Sequence, residues 1–158
     1  MIDSALLELL PHRPPMLLIQ RLVHVADNEA CAELTIGEDS TFYQAGCGVP
    51  SWIGLEYMGQ TCALIGGHQQ RQSQAPASLG FLMGSRRFQA SIPYFSLGTQ
   101  LRIQCKQIAT VGESLANFDC VITDVSAKQY SKQDNQHQQL AHATLSVFRK
   151  AIEPVDTD

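Results

Sequence analysis

The chain has 158 residues, 44% of them hydrophobic, and a formal net charge of −4. This length predicts a single domain, residues 1–158, that is large enough to bury a hydrophobic core. The negative charge and the scattered basic residues argue against nucleic acid as a partner. The longest apolar stretches fall short of the roughly 20 residues that span a bilayer, so we expect no membrane partner either.

Five cysteines, at positions 31, 47, 62, 105 and 120, form no CxxC pair. An odd number of cysteines in mostly apolar surroundings favours reduced core residues over a disulfide framework. The first residues also lack the basic start and long apolar run of a signal peptide. Together these features predict a cytoplasmic protein.

The first predicted element is a short helix over Ser4–Leu10, with Ser4 as its N-cap and Pro11 as its end. Apolar and polar residues then alternate over Glu29–Ile36, which is typical of a strand with one buried face. By the same criteria we predict, in chain order, a helix at 4–10, strands at 16–26 and 29–36, a loop at 37–50, a helix at 51–68, a loop at 69–78, a strand at 79–90, a turn at 93–98, strands at 101–106 and 116–122, a loop at 128–139, a strand at 140–150 and a frayed tail at 153–158. Strands on both sides of one long helix indicate an α+β architecture.

The long helix, Ser51–His68, is apolar around its whole circumference except at Glu56, Gln60 and its ends. Such a helix has to be covered by the sheet. Glycines inside it, among them Gly54 and Gly59, each cost about 1 kcal/mol relative to alanine. Their presence favours a sheet that approaches the helix backbone closely.

Glu56 and Gln60 are spaced i, i+4 and therefore share one face of this helix. One interpretation is that this face meets water and Glu56 is an ordinary surface residue. The other is that Glu56 lies in a cleft, where its carboxyl group can give a proton to a leaving hydroxyl or take one from water. Gln60, one turn later, can hold the carboxyl group in place or bind a carbonyl group.

A turn rich in glycine and proline, Gly46–Ser51, leads into the long helix. The first N–H groups of a helix have no partner within it, so they can bind the oxygen of a thioester carbonyl. Cys47 lies in this turn and can be a nucleophile at a helix start or simply a small loop residue. No histidine is near it in sequence, which favours the loop residue.

His12 lies in the constrained run Leu10-Pro-His-Arg-Pro-Pro-Met16 and is interpreted first as a structural hydrogen-bonding residue. The other histidines, at positions 24, 68, 137 and 142, lack metal-ligand spacing, so we predict no metal site. The sequence also lacks a phosphate loop and a dinucleotide fingerprint, and we expect no cofactor.

Several motifs resemble the hot-dog-fold 3-hydroxyacyl-acyl-carrier-protein dehydratases, and most of all their aryl-polyene, ApeP-like subset. The resemblance spans nearly the whole chain in the same order. Its motifs are Leu9-Leu-Pro-His-Arg-Pro-Pro-Met-Leu-Leu-Ile-Gln-Arg-Leu-Val23, Gly54-Leu-Glu-Tyr-Met-Gly-Gln60, Gly80-Phe-Leu-Met-Gly-Ser-Arg-Arg-Phe88 and Leu97-Gly-Thr-Gln-Leu101.

This resemblance implies a hot-dog fold, in which a curved antiparallel sheet of about five to six strands wraps a long central helix. It also implies a tunnel for an acyl chain at a dimer interface, with an acyl-carrier protein or CoA thioester as substrate. The dimer partner is a second copy or another hot-dog subunit. Glu56 matches the catalytic carboxylate of the family, Gln60 its supporting amide and Ser51 the amide at the thioester carbonyl. We assign substrate binding to Ser51, Trp52, Cys47 and Gly84.

The Gly-His-Phe-Pro run that supplies the catalytic histidine of the family is absent here, and Gly46 or Cys47 stands in its place. The base then comes from elsewhere, either from His12 folded back to the site or from another hot-dog subunit. Three functions stay open: a dehydratase acting on 3-hydroxyacyl thioesters, a thioesterase on the same fold, and a partner subunit that is inactive alone.

Overall fold

The structure, a computed structural model, describes residues 2–73, 78–112, 114–126 and 138–151. Most of the predicted loop at 128–139 and the whole predicted tail at 153–158 lie outside these residues. Within the described ranges, no helix is long and apolar enough to cross a membrane.

The described residues form two α-helices and eight strands. In chain order they are α1 (Ser4–Leu9), β1 (Arg21–Val25), β2 (Glu29–Thr35), β3 (Val49–Pro50), a 3₁₀ turn (Ser51–Ile53), α2 (Gly54–Ser73), β4 (Ser78–Ala90), β5 (Tyr94–Phe95), β6 (Gln100–Val111), β7 (Leu115–Asp124) and β8 (Gln138–Ala151). Six strands form one antiparallel sheet in the order β1-β2-β6-β7-β8-β4, and β3 pairs with β5 apart from it. The α+β architecture predicted from the sequence is confirmed.

The sheet buries one face against α2, which packs on β2, β4, β6 and β7. The alternation predicted for β7 is present, since Ala116, Phe118, Cys120 and Ile122 are all buried while the residues between them are partly exposed. On the other face of β2, the side chain of Glu33 is also buried. Arg21 and Arg102 cover it by forming ion pairs with its carboxylate. Buried charge is tolerated there because it is paired.

The predicted strand at 16–26 is too long, because only Arg21–Val25 forms β1. The N–H groups of Leu18 and Ile19 donate to the side chain of Gln60 instead of to a neighbouring strand. The segment is therefore held by the helix up to Ile19, and contact with the sheet begins at Gln20, whose N–H donates to the carbonyl oxygen of Glu33 at 3.0 Å.

The start of α1 and the end of α2 also differ from the prediction. Asp3, not Ser4, is the N-cap of α1, since its carboxylate accepts the N–H of Ala5 and also that of Leu22. The predicted loop at 69–78 begins too early, because α2 continues to Ser73. An ion pair of 3.0 Å between Arg71 and Glu8 links this added turn to α1.

Three glycines of α2 differ in what surrounds them. A Cβ at Gly67 would collide with the backbone carbonyl oxygen of Leu9, so glycine lets α1 approach α2 there. A Cβ at Gly54 would lie 2.9 Å from Cδ1 of Ile122, as expected for a sheet close to the helix. A Cβ at Gly59 would meet nothing within 4 Å. The expected close approach of the sheet to the helix backbone is therefore absent at that position.

We expect Gly67→Ala to lower the free energy of unfolding by about 1–3 kcal/mol, because the new methyl group forces α1 away from α2. Gly59→Ala is the matched control in the same helix and should raise it by up to about 1 kcal/mol, through the better helix propensity of alanine. Urea denaturation of both variants measures the two effects. A shift of the same sign in both would contradict the assigned role of Gly67.

Candidate active site

Gln60 organises the region around Glu56. Its side chain is 1% exposed. Its Oε1 accepts the N–H of Leu18 at 2.9 Å, while its Nε2 donates to the carbonyl oxygen of Met16 at 2.8 Å and to Oε1 of Glu56 at 3.2 Å. One amide thus fixes the segment before β1 on α2 and orients the carboxylate of Glu56, which is partly buried.

We expect Gln60→Met to destabilise the protein by about 1–3 kcal/mol, because it leaves the buried N–H of Leu18 without an acceptor. Gln70→Met, later in the same helix, is the control and should change the free energy of unfolding by less than about 0.5 kcal/mol. Urea denaturation gives both values. Equal effects of the two substitutions would show that the hydrogen bonds of Gln60 add nothing to stability.

His12 lies within electrostatic range of Glu56. Burial lowers the pKa of His12, and the carboxylate of Glu56 opposes this with a smaller effect that raises it. The imidazole is therefore neutral at neutral pH and within range of the charge of Glu56. The neighbouring Arg13 fixes the backbone at this point, since its guanidinium donates to the carbonyl oxygens of Leu10 and His12 at 2.8 and 2.7 Å.

The ring of His12 is not fully paired. Its Nδ1 is buried and has no hydrogen-bond partner among the described residues. Buried polar atoms are nearly always hydrogen-bonded in folded proteins. This nitrogen can therefore bind a group that is not among the described residues, such as a water molecule.

The lowered pKa of His12 predicts a pH dependence of stability. As the pH falls below 6.5, His12 takes up a proton in the unfolded chain before it does so in the folded protein. The unfolded state then binds more protons, so stability decreases on acidification. Thermal unfolding of the wild type and of His12→Asn between about pH 8 and pH 5 checks this. The wild type should lose more stability than the variant below pH 6.5, and a difference independent of pH would contradict the assignment.

The start of the long helix differs from the prediction at Ser51. Its N–H donates to the carbonyl oxygen of Pro93 at 2.9 Å, so this amide is already engaged and cannot bind a thioester carbonyl. The hydrogen bond arises because β3 and β5 pair immediately beside it. No acceptor for the N–H of Trp52 is found in the described part of the chain, and the Trp52 side chain is 63% exposed.

The two remaining sequence-predicted residues lie in exposed positions. Cys47 is in a tight turn, where its N–H donates to the carbonyl oxygen of Gln44 at 3.0 Å. Gly84 is in β4, next to an irregularity in its pairing with β8. No hydrogen bond or ion pair among the described residues joins either of them to Glu56. Their assignment to substrate binding stays a prediction.

Four large exposed apolar side chains lie in the segments that flank β1, β3 and β5, and three of them were not selected from the sequence. We call them the apolar rim: Met16, Phe42, Trp52 and Leu97. The backbone of Met16 is bound by Gln60, and the hydroxyl of Thr41 donates to the carbonyl oxygen of Pro15, which brings Phe42 near Met16. Exposed apolar side chains that lie together, as Met16 and Phe42 do, are typical of a binding surface.

Comparisons with solved structures identify the fold. The dehydratase heterocomplex ApeI:P from Xenorhabdus doucetiae is 24% identical, with 92% of this chain and 90% of that chain covered and a TM-score of 0.79. A hypothetical thioesterase with coenzyme A from Streptococcus pneumoniae TIGR4 is 13% identical, with 83% and 85% covered and a TM-score of 0.59. The PaaI protein of the phenylacetic acid degradation operon of E. coli is 10% identical, with 81% of both chains covered and a TM-score of 0.59. These likenesses confirm the predicted hot-dog fold.

A comparison with curated proteins finds no match. The profile of the ApeP-like family, described as ApeP dehydratase, matches residues 4–156 and thus nearly the whole chain. The resemblance inferred from the sequence motifs is thereby confirmed, together with the dehydratase-like function that it implies. The chain belongs to the ApeP-like dehydratase family.

Proposed function

We propose that the protein removes water from 3-hydroxyacyl thioesters carried by acyl-carrier protein, with Glu56 as the acid and His12 as the base. The observation that carries this proposal is that His12 has a buried Nδ1 without a partner among the described residues and lies within electrostatic range of Glu56. A neutral imidazole and a carboxyl group at one site are the two proton-transfer groups that a dehydration needs.

The reaction balances within this pair. His12 takes the proton from the α carbon of the acyl chain while protonated Glu56 gives a proton to the β-hydroxyl group. The C–O bond breaks, water leaves, and a double bond forms between the α and β carbons. The site is reset when the proton on His12 returns to the Glu56 carboxylate. Gln60 keeps the carboxylate oriented through its hydrogen bond to Oε1.

The thioester carbonyl needs a hydrogen-bond donor while negative charge develops on its oxygen. Ser51 was the expected donor, but its amide is engaged with Pro93. The next amide, that of Trp52, takes this role in the proposal. It lies at the start of the 3₁₀ turn that leads into α2, one turn before Glu56.

We also propose that the site is completed by a second hot-dog subunit. Strand β4 lies at one edge of the six-stranded sheet, and its residues 84–87 are exposed. An open edge of this length is a surface on which another strand can pair. The apolar rim and the unpaired Nδ1 of His12 also favour a second subunit at this site. The similar structure from Xenorhabdus doucetiae is a heterocomplex.

A single assay separates the candidate functions. The purified chain, alone and with a hot-dog subunit that copurifies from the native source, is incubated with 3-hydroxyacyl-acyl-carrier protein. Enoyl thioester formed with the thioester bond intact supports dehydration. Release of the thiol without enoyl formation would identify a thioesterase and overturn the proposal.

The same assay tests the role of the partner subunit. Activity that appears only on mixing, and that survives the loss of both Glu56 and His12, would identify this chain as a non-catalytic subunit. Activity that is lost when either Glu56 or His12 is replaced supports a catalytic pair within this chain.

A further inference from the structure

Three cysteines that are far apart in sequence meet in the core behind the candidate active site. Cys62 is on α2, Cys105 on β6 and Cys120 on β7. They are 2%, 2% and 0% exposed, and their Sγ atoms all lie within 4.8 Å of one another. Cys105 and Cys120 stand directly opposite in the antiparallel pair of β6 and β7, and Sγ of Cys62 is 3.6 Å from Sγ of Cys120.

The donor set of this cluster consists of sulfur alone. Among the described residues, no histidine or carboxylate belongs to the group. The thiol of Cys105 also donates to the carbonyl oxygen of Met58 at 3.5 Å. The three side chains project from rigid elements, so their mutual positions are set by the fold and not by a loop.

We propose that Cys62, Cys105 and Cys120 form a three-coordinate site for a soft metal ion, Cu(I). Thiolate ligands select soft ions, whereas structural zinc sites almost always have four ligands. Metal–sulfur bonds of about 2.3 Å in a trigonal plane place the sulfur atoms about 4 Å apart. Each sulfur–sulfur distance therefore needs to change by less than about 1 Å to reach this geometry, with the 3.6 Å pair of Cys62 and Cys120 lengthening slightly.

Binding at this site exchanges protons for the metal and involves no oxidation or reduction. Each thiol that becomes a ligand loses its proton to the solvent, and copper stays in the +1 state. Affinity is therefore expected to rise with pH. The bound ion would tie α2, the helix that carries Glu56 and Gln60, to the middle of the sheet.

Packing alone is the competing explanation, because cysteine is a common small core residue. It predicts no stoichiometric binding of copper. The histidines lack metal-ligand spacing and the cysteines form no CxxC pair, so no metal site was predicted from the sequence. The spacing of positions 62, 105 and 120 along the chain gives no metal motif, and only the fold brings the three thiols together.

The test uses the full chain with Cys31→Ala and Cys47→Ala, so that only the three cluster cysteines remain. The reduced, oxygen-free protein is loaded with Cu(I), either when folded or during refolding, in competition with a chromophoric Cu(I) chelator. We expect one Cu(I) per chain, a thiolate-to-copper absorption band and a raised melting temperature. Parallel titration with Zn(II) should show weaker binding.

Single alanine substitutions at positions 62, 105 and 120 should each abolish stoichiometric binding. Copper-edge X-ray absorption of the loaded protein, which needs no variant, should show three sulfur neighbours. No stoichiometric uptake by either route, tighter binding of Zn(II), or binding that persists in Cys120→Ala would each overturn the proposal. A disulfide between two of these cysteines that forms on exposure to air, with no copper uptake by the reduced protein, would also overturn it.

Discussion

Replacement of Glu56 by glutamine is expected to lower kcat/KM for enoyl formation by about 10²- to 10⁴-fold, the usual contribution of one positioned proton-transfer group. Glutamine has nearly the same size, and its carbonyl oxygen can still accept the hydrogen bond from Gln60. The fold and the melting temperature should therefore stay close to those of the wild type. Enoyl thioester is measured by its ultraviolet absorbance.

Glu38→Gln is the matched control for this experiment. Glu38 is exposed in the loop between β2 and β3. Its replacement removes the same charge from the chain without touching the site, so kcat/KM should stay near the wild-type value. If Glu56→Gln retains the wild-type rate, Glu56 is not the acid.

Replacement of His12 by asparagine should cost a similar factor of about 10²- to 10⁴-fold in kcat/KM. A base acts in its neutral form, so the wild-type rate should rise with pH through the pKa of His12. Burial lowers this pKa below 6.5, so the acid limb of the pH–rate profile should lie below pH 6.5. Initial rates across that range, in the wild type and the variant, measure both effects.

His24→Asn is the control for the second experiment. His24 is exposed on β1 and lies 3.3 Å from Glu29, away from the candidate site. This variant should keep both the rate and the acid limb. An acid limb that persists unchanged in His12→Asn would mean that the base is supplied by another subunit.

Strands and the main helix could be predicted because their apolar periodicity is local. The alternation in β7 and the long apolar run from Ser51 place those elements directly. The segment Met16–Ile19 could not be predicted, because its apolar residues look like a strand in sequence. Its backbone is instead bound by Gln60, a contact between distant positions that no local pattern reveals.

The candidate site could likewise be predicted only in part from the sequence. Glu56 and Gln60 follow from their helical spacing and from the family motif. The proximity of His12 to Glu56 depends on how the segment after α1 folds back, and the sequence offered it only as one alternative. The engagement of Ser51 with Pro93 depends on the pairing of β3 with β5, two strands of only two residues each, whose pattern is too short to recognise.

The account depends most on the claim that His12 and Glu56 act as one pair. The most direct test is a double-mutant cycle of His12→Asn and Glu56→Gln, with kcat/KM for enoyl formation measured in the presence of the copurified partner subunit. Groups that act as a unit are strongly non-additive. The double variant is therefore expected to be no slower than the slower single variant. Losses that multiply independently, or a double variant that keeps the wild-type rate, would contradict the claim.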